Sequence, residues 1–583
     1  MFGATQDVTA RLRFAESAYD AASSLEAACD ERCVDAYFEA AKSSWCDVRD
    51  TLDCVDRTSV RARQLYHSSL AKLVCTGKQF GRFDPARGLK IHGPHGCQYV
   101  AVNYHAFLWQ PEDFNEFVLV GDYSTDELRT VYRSPGLGVP LLVKRRRNFD
   151  EPMRRREQVF SATVVLRTTP TDGPCQSFAL EFCDPVRVTE IDLGDKTVAL
   201  RRDLSAPYAY IASTRGNVAL EAFQMLGSTA NAAGLFAIEP YQPGKIPLIF
   251  VHGLLSDPTT WLAMVNELRA RPEILQRYQI WAFEYPTGDP FVLSARILRE
   301  DLAEAIRTLD PKGQDPALSN MVVVGHSMGG LVAKLQVTSS QTHLWDSLAN
   351  RPFDQIVASD ESLANLAGSL FFEPQPAIRR VIFIATPHRG AGLAQRLVGR
   401  ITSSLVNEPE ARKAEHQCLI ENNPGVFSQE VQNRIPTSID MLEPKSCVLQ
   451  AVERLPIAPD VTLHSIIGDN GQLMGKPTDG VVPVDSARHA GVASERLICT
   501  KHTKIQSTPE AIKEVLRILR LHAQTADAEM VSDATPLHDP PVDEQDLPPI
   551  REEPKEVESL KLDQVEVKSH VGGLVKSFDR QAV

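Results

Sequence analysis

The residues best placed to do chemistry are Gly325-His326-Ser327-Met328-Gly329, which follow the apolar run Met321-Val322-Val323-Val324 and lead into Gly330-Leu331-Val332-Ala333-Lys334-Leu335. Read as strand, tight turn and helix, this stretch predicts a nucleophile elbow. Glycines two residues before and two after Ser327 make room for a strained turn that exposes the serine hydroxyl at the end of a buried strand. A short glycine-rich string alone can be an ordinary structural turn. The flanking strand and helix are what make Ser327 a candidate nucleophile.

A serine attacking an acyl carbonyl needs backbone N–H groups aimed at the oxyanion, and loss of one such donor costs about 10²–10³ in rate. Upstream, Ile246-Pro247-Leu248-Ile249-Phe250-Val251 reads as a buried strand ending in His252-Gly253-Leu254-Leu255. The candidate donors are the N–H groups of Leu254 and Met328. Gly253 allows close backbone approach, and His252 reads as a packing residue with local hydrogen bonds. The proton relay needs a histidine and an orienting acid. Val461–Gly468 reads as another buried strand, followed by Asp469-Asn470-Gly471 and Thr478-Asp479-Gly480. Asp479 is the preferred acid because its glycine-containing turn can hold a carboxylate toward an imidazole. Asp469 is the reserve. The candidate base is His502, in a last short strand and loop (Leu497-Ile498-Cys499-Thr500-Lys501-His502-Thr503) before a helix beginning at Pro509. His489 has no strand before it and reads as a surface residue. His388, in Thr386-Pro387-His388-Arg389-Gly390 after the strand Val381-Ile382-Phe383-Ile384, reads as a neighbour of the site without the role of base.

The stretch from about Pro247 to Ala523 resembles the α/β-hydrolase superfamily, its lipase-like serine esterase branch in particular. The carriers are Val251-His252-Gly253-Leu254, Gly325-His326-Ser327-Met328-Gly329-Gly330, Thr386-Pro387-His388-Arg389-Gly390, Asp479-Gly480-Val481-Val482-Pro483 and His502. They run in the order serine, acid, histidine that this superfamily uses. Within the branch the chain is similar to uncharacterised bacterial hydrolases with Tyr285-Pro286-Thr287-Gly288 after the strand that follows the oxyanion segment. Several of those carry a lipoprotein signal and an N-terminal helical region. The resemblance implies cleavage of esters, thioesters or amides, usually esters, without cofactor or metal.

At 583 residues the chain should hold more than one folding unit, since single cores stop growing near ~250–300 residues. The net charge of −13 is concentrated in the tail, where eleven acidic residues between Asp527 and Glu558 face only Arg551 and Lys555. The folded part is near neutral, which gives no argument for nucleic-acid binding. The clusters Lys144-Arg145-Arg146-Arg147 and Arg154-Arg155-Arg156 read as a solvated loop, or as a patch that could bring anionic lipid headgroups or the acidic tail into peripheral contact. No apolar run approaches the ~20 residues of a transmembrane span. Met1–Asp7 shows no secretory signal. The chain therefore reads as cytoplasmic, or as a cell-envelope protein if the natural start lies upstream. Six of the eleven cysteines fall in the first hundred residues, as buried thiols or as cross-links of an exported domain.

These features divide the chain into a helical region (1–90), a small β-rich domain (91–235), an α/β-hydrolase domain with a mostly parallel sheet (236–523), and an acidic disordered tail (524–583). In the β-rich domain, alternation in Val186–Ile191 and Thr197–Leu200 around Leu193-Gly194-Asp195-Lys196 predicts a hairpin. Two insertions, 339–376 and 393–459, interrupt the strand–helix rhythm of the hydrolase. The second opens with Leu393, Leu397, Ile401 and Leu405 at helical spacing, as a core helix or as a lid over a site for lipid-like or bulky acyl esters. The expected function is serine esterase, with Ser327 as nucleophile, His502 as base and Asp479 as acid. An acyltransferase, or a non-catalytic scaffold on a hydrolase fold, are the alternatives.

Overall fold

The computed structural model describes residues 2–52, 54–93, 96–121, 125, 128–146, 153, 157–169, 177–194, 196–214, 234–391, 410–433, 436–473, 475–533, 565–570 and 575–580. Residues 1–526 form one compact unit and 527–583 another.

The chain starts with three helices, α1 (Phe2–Ala27), α2 (Cys33–Asp50) and α3 (Arg57–Gln79). Asp56 caps α3 by accepting the N–H groups of Thr58 and Ser59, which satisfies two of the free donors at a helix start. The stripe Phe38, Ala41 and Trp45 is buried. It packs with Tyr66, Leu70 and Leu73 of α3 against a seven-stranded sheet. The strands are β1 (Phe83–Asp84), β2 (Gly88–Gly93), β3 (Gly96–His105), β4 (Glu116–Leu119), β5 (Val139–Arg145), β6 (Gln158–Thr169) and β7 (Ser177–Cys183). Their spatial order is β1-β2-β3-β7-β6-β5-β4. All neighbours are antiparallel except β3 and β7, which run parallel. Sheet structure thus begins before the expected boundary at 91.

Two expectations for this region need correction. The hairpin forms, but only between Glu190–Asp192 and Thr197–Ala199. Val186–Val188 is held in a turn by Asp184, whose carboxylate accepts the Val186 N–H and whose carbonyl accepts the Val188 N–H. The basic cluster at 144–147 is not simply a solvated loop. Arg145 is buried, donates to Asp113 at 2.6 Å and lies over the Trp109 ring. Residues 147–152 and 154–156 lie outside the described residues. The ten cysteines among the described residues are all free thiols.

A short helix α4 (Ala206–Thr214) follows, and then the second seven-stranded sheet. Its strands are β8 (Gly234–Ala237), β9 (Ile246–Val251), β10 (Tyr278–Glu284), β11 (Met321–His326), β12 (Ile378–Ile384), β13 (Thr462–Gly468) and β14 (Ser494–Ile498). The order is β8-β10-β9-β11-β12-β13-β14. β8 is antiparallel to β10 and the rest run parallel. This is the α/β-hydrolase arrangement, a mostly parallel sheet that must be covered on both faces. Successive side chains divide accordingly. Ile249, Val251, Val323, Val381 and Phe383 join a core with α6 (Phe291–Leu309) and α7 (Met328–Lys334), whereas Leu248, Phe250, Val322, Val324 and Ile382 join one with α5 (Leu262–Arg269) and α12 (Pro509–Asp533).

The first insertion folds into α8 (His343–Leu348) and α9 (Asp360–Leu370). The described part of the second contains α10 (Glu410–Asn422) and α11 (Cys447–Arg454). The stripe Leu393, Leu397, Ile401 and Leu405 lies outside the described residues. Helix α12 continues to Asp533, past the boundary expected at Ala523. In the second unit Val565–His570 pairs antiparallel with Val575–Arg580. No helix among the described residues is long and apolar enough to cross a membrane.

Candidate active site

The C-terminal ends of β9, β11, β12 and β13 bring together residues far apart in sequence. β11 ends at His326, and Ser327 turns the chain into α7 with φ 54° and ψ −124°. A non-glycine residue in this region is strained and persists only where its surroundings enforce it. The enforcing contacts are backbone. A Cβ at Gly325 would stand 2.5 Å from the Gly329 carbonyl oxygen, and one at Gly329 would stand 2.3 Å from that of His252. Neither position tolerates a side chain, so the turn closes tightly enough to hold Ser327 at the strand end. Its N–H donates to the Ile384 carbonyl of β12 at 2.8 Å.

His502 stands at the start of a 3-10 turn (His502–Ser507), four residues after β14, in the connection between the last strand and the helix that begins at Pro509. Its Nε2 is 3.0 Å from Ser327 Oγ, and its Nδ1 is 2.7 Å from Asp479 Oδ2. Asp479 is buried, and its other oxygen, Oδ1, accepts the N–H groups of Val481 and Val482 at 2.9 and 2.8 Å. Gly480 takes a φ of 98°, which lets the turn fold back so that both amides point at the carboxylate. The His502 N–H donates to the Asp479 carbonyl at 3.0 Å, so acid and base are joined through backbone as well as side chain. Asp469, the reserve acid, is half-buried and caps its own turn by accepting the Gly471 N–H. It is Asp479, and not Asp469, that meets His502.

The oxyanion candidates flank the serine. Met328 is the next residue and opens α7. A Cβ at Gly253 would lie 3.0 Å from Ser327 Cβ, which puts the segment leading to Leu254 against the serine. Leu255 has φ 53°, and its N–H donates to Thr287 Oγ1 at 3.3 Å. His252 is buried and stacked on Tyr285 at 4.4 Å. Its Nε2 accepts the Tyr285 N–H, its Nδ1 lies 3.1 Å from the Gly253 carbonyl, and the Tyr285 hydroxyl donates to the His252 carbonyl at 2.6 Å. It packs and hydrogen-bonds locally, as its sequence context suggested.

Three placements go beyond the sequence reading. His326, the residue before Ser327, is buried, and its Nε2 is 3.1 Å from the His502 carbonyl. Burial, reinforced by nearby His502, pushes its pKa down to about 3, so it is a neutral ring that can donate Nε2–H to that carbonyl. The sequence signal was only its place inside the turn. Thr287 and Tyr285, singled out by resemblance, brace the segment 252–255 through hydrogen bonds to the Leu255 N–H and the His252 carbonyl. His489, expected at the surface, is half-buried and packs on Phe383 and His388 at 5.8 and 4.9 Å, because the chain after the Asp479 turn folds back over β12. His388 is buried under it, and burial, with Lys334 nearby, holds its pKa well below the ordinary value. It stays neutral, and the contact with Ser327 is made by His502. The same loop is tied to the chain after Asp479: the Arg389 N–H donates to Ser486 Oγ at 3.1 Å, and that hydroxyl donates to the Gly390 carbonyl at 2.6 Å.

Chemically, this is a hydroxyl, an imidazole and a carboxylate in series. Among the described residues no group of three or more His, Cys, Asp or Glu side chains could hold a metal ion.

Residues 248–502 match the family model described as the alpha/beta hydrolase family. No curated protein matches the chain. Similar solved structures include the mature lipase BlEst2 of Bacillus licheniformis, 15% identical over 49% of this chain and 97% of that one, with a TM-score of 0.29. EstA of Clostridium botulinum is 14% identical over 53% and 97%, with a TM-score of 0.30. Phospholipase PlaB of Legionella pneumophila is 16% identical over 58% and 68%, also with a TM-score of 0.30.

Proposed function

We propose, with residues 248–502 matching the model of the alpha/beta hydrolase family, that the chain is a serine hydrolase that cleaves carboxylic esters through an acyl-enzyme intermediate. The observation that carries this reading is the unbroken series from Asp479 Oδ2 through His502 to Ser327 Oγ, at 2.7 and 3.0 Å, ending on a residue with strained backbone.

In this reading Ser327 Oγ attacks the ester carbonyl carbon while His502 Nε2 takes its proton. Asp479 accepts the Nδ1–H of His502, fixes the tautomer in which Nε2 is free to act as base, and stabilises the imidazolium. The carbonyl oxygen, now carrying the negative charge, is received by the N–H groups of Leu254 and Met328. As the tetrahedral intermediate collapses, His502 returns the proton to the leaving alkoxide, which departs as an alcohol. Water then attacks the acyl-serine, with His502 again as base, and releases the acid and the free serine. His326 holds the base loop by donating to the His502 carbonyl. It is a positioning residue.

The test is labelling of the full chain by a fluorophosphonate probe, with turnover of an aryl ester measured in parallel. Wild type should label and turn over, whereas Ser327→Ala should lose both and keep its unfolding transition. Labelling that persists in Ser327→Ala would overturn the assignment.

A further inference from the structure

A cavity of about 850 Å³ in the N-terminal region is bounded by the first half of α3, the loop 135–137 and the hairpin 190–199. Its size falls in the range of small-ligand pockets, about 300–1,000 Å³. The charged groups in its wall are of one sign. Arg63 and His67 come from α3, Lys196 from the hairpin turn and Arg201 from the segment after it, and among the described residues no carboxylate lines it.

We propose that this cavity binds a phosphate monoester, with the phosphoryl group held by Arg63 and Arg201 and the organic part against Leu52, Leu137 and Val198. The site is independent of the serine-hydrolase reading. Its cations are anchored before any ligand arrives. Arg63 donates to the carbonyls of Leu52 and Cys54 at 2.8 and 2.7 Å, which leaves other N–H groups of the guanidinium fork to reach an anion. Arg201 is held through its backbone: its N–H donates to the Leu137 carbonyl at 2.8 Å, and its carbonyl accepts the Thr163 hydroxyl at 2.8 Å. Neither guanidinium is paired with a carboxylate among the described residues. His67 senses both of them. Burial, and then the charges of Arg201 and Arg63, push its pKa down to about 4, and its Nε2 has no hydrogen-bond partner. Two guanidiniums around a neutral imidazole repel each other, and an anion between them relieves that repulsion. The wall itself is firm, since a Cβ at Gly136 would stand 2.3 Å from the Ala199 carbonyl oxygen and the loop therefore rests backbone to backbone on the hairpin. A phosphoryl group brings nearly two charges and three acceptor oxygens, which matches two fixed guanidiniums better than the single charge of a carboxylate. The apolar side chains in the wall favour an ester over the free ion.

The test is calorimetric titration of the full chain with phenyl phosphate, with inorganic phosphate and benzoate for comparison. Phenyl phosphate should bind about tenfold or more tighter than either, inorganic phosphate lacking the burial of the ring and benzoate the second charge. Arg201→Ala removes a charge-assisted contact and should weaken phenyl phosphate by about tenfold or more. Val60→Glu, at the exposed rim of the cavity, should do the same by repulsion, and it decides alone if Arg201→Ala fails to fold. Both variants should leave aryl ester turnover within about twofold, and Ser327→Ala should bind phenyl phosphate as wild type does. Phosphatidylcholine vesicles with and without phosphatidic acid separate the sources of the phosphoryl group. Arg201-dependent sedimentation with the phosphatidic acid vesicles assigns the site to a lipid phosphate, and its absence assigns it to a soluble ester. The proposal is overturned if neither phenyl phosphate nor these vesicles bind, if binding is the same in both cavity variants as in wild type, or if Ser327→Ala abolishes it. Benzoate or inorganic phosphate binding as tightly as phenyl phosphate would also overturn it, since the site would then not select a phosphate monoester.

Discussion

The N-terminal region through Thr214 and the hydrolase region from Gly234 to Ala526 are built with equal care, and both bury charged groups. In the N-terminal sheet Glu181 is buried between His105 at 2.6 Å and Arg167 at 2.9 Å. Burial alone would raise its pKa, but these two partners hold it down at about 2. That cluster closes on itself. In the hydrolase region Asp479 is just as buried, and its partner His502 passes the interaction on to a serine hydroxyl held on strained backbone. Burial and ion pairing are therefore common to both regions and distinguish neither. What separates them is a polar series that ends on a serine hydroxyl carried by strained backbone at the head of α7. If so, substitutions in the hydrolase series should cost rate and spare stability, and substitutions in the N-terminal region should do the reverse.

The largest effect is expected at Asp479. Replacing the orienting carboxylate by its amide favours the wrong imidazole tautomer, which costs about 10⁴ in kcat in a serine protease. Asp479→Asn should lose activity on that scale in steady-state assays, whereas Asp469→Asn should stay within a fewfold of wild type, since Asp469 only caps its own turn. The reverse ranking would redraw the relay around Asp469.

Next comes His326. His326→Ala removes the donor to the His502 carbonyl, and small misplacements of a catalytic group cost up to about 10² in rate. A fall of about 10–10² in kcat with little change in KM is expected, and His326→Gln, which keeps an N–H donor, should recover part of it. With a pKa near 3, His326 adds no titration of its own to the pH–rate profile between pH 5 and 8. A KM effect without a kcat effect would place His326 in substrate binding instead.

Between the two regions stands Glu239. It accepts Arg187 of the N-terminal region at 3.1 and 3.2 Å and Arg269 of α5 at 2.8 Å. Burial pushes its carboxyl up, but Arg269 and Arg187 outweigh this and hold it well below the ordinary carboxylate range. A group depressed in the folded state adds stability that is present above its unfolded pKa, about 4.3, and is lost as pH falls below that value. Glu239→Gln should lower the unfolding free energy by about 2–3 kcal/mol at neutral pH, remove part of the acid sensitivity of denaturant midpoints, and leave kcat unchanged. A large kcat loss would show that this junction communicates with Ser327.

How much could be read in advance follows the same division. Ser327, Asp479 and His502 were legible because each is fixed by short-range sequence: a glycine-bounded turn after an apolar run, a glycine after an aspartate, a histidine after the last strand. The parallel sheet was legible from the alternation of strands and helices. The parallel pairing of β3 with β7 was not, because it joins residues more than 70 apart in sequence with no local mark. His489 was misplaced because its burial comes from packing on Phe383 and His388, distant parts of the chain. His326 was read only as part of the turn, since its partner is the backbone carbonyl of a residue 176 positions away.

The smallest predicted effect tests the N-terminal side of the comparison. β5 runs alongside β6 only as far as Val164, so Leu166 has no β5 neighbour on that side. The buried Tyr66 hydroxyl of α3 takes that place, donating to the Leu166 carbonyl at 2.7 Å and accepting its N–H at 2.9 Å. Tyr66→Phe keeps the ring and its packing and strands both backbone groups. Leaving buried polar groups unpaired costs about 1–3 kcal/mol, so the denaturant midpoint should fall with an unchanged slope. Because Tyr66 is remote from the Asp479–His502–Ser327 series in both contacts and sequence, kcat for any ester that wild type turns over should stay within about twofold, well under the 1.4 kcal/mol that makes a tenfold change. A loss of kcat at unchanged stability would break the comparison and make the N-terminal region part of the catalytic apparatus.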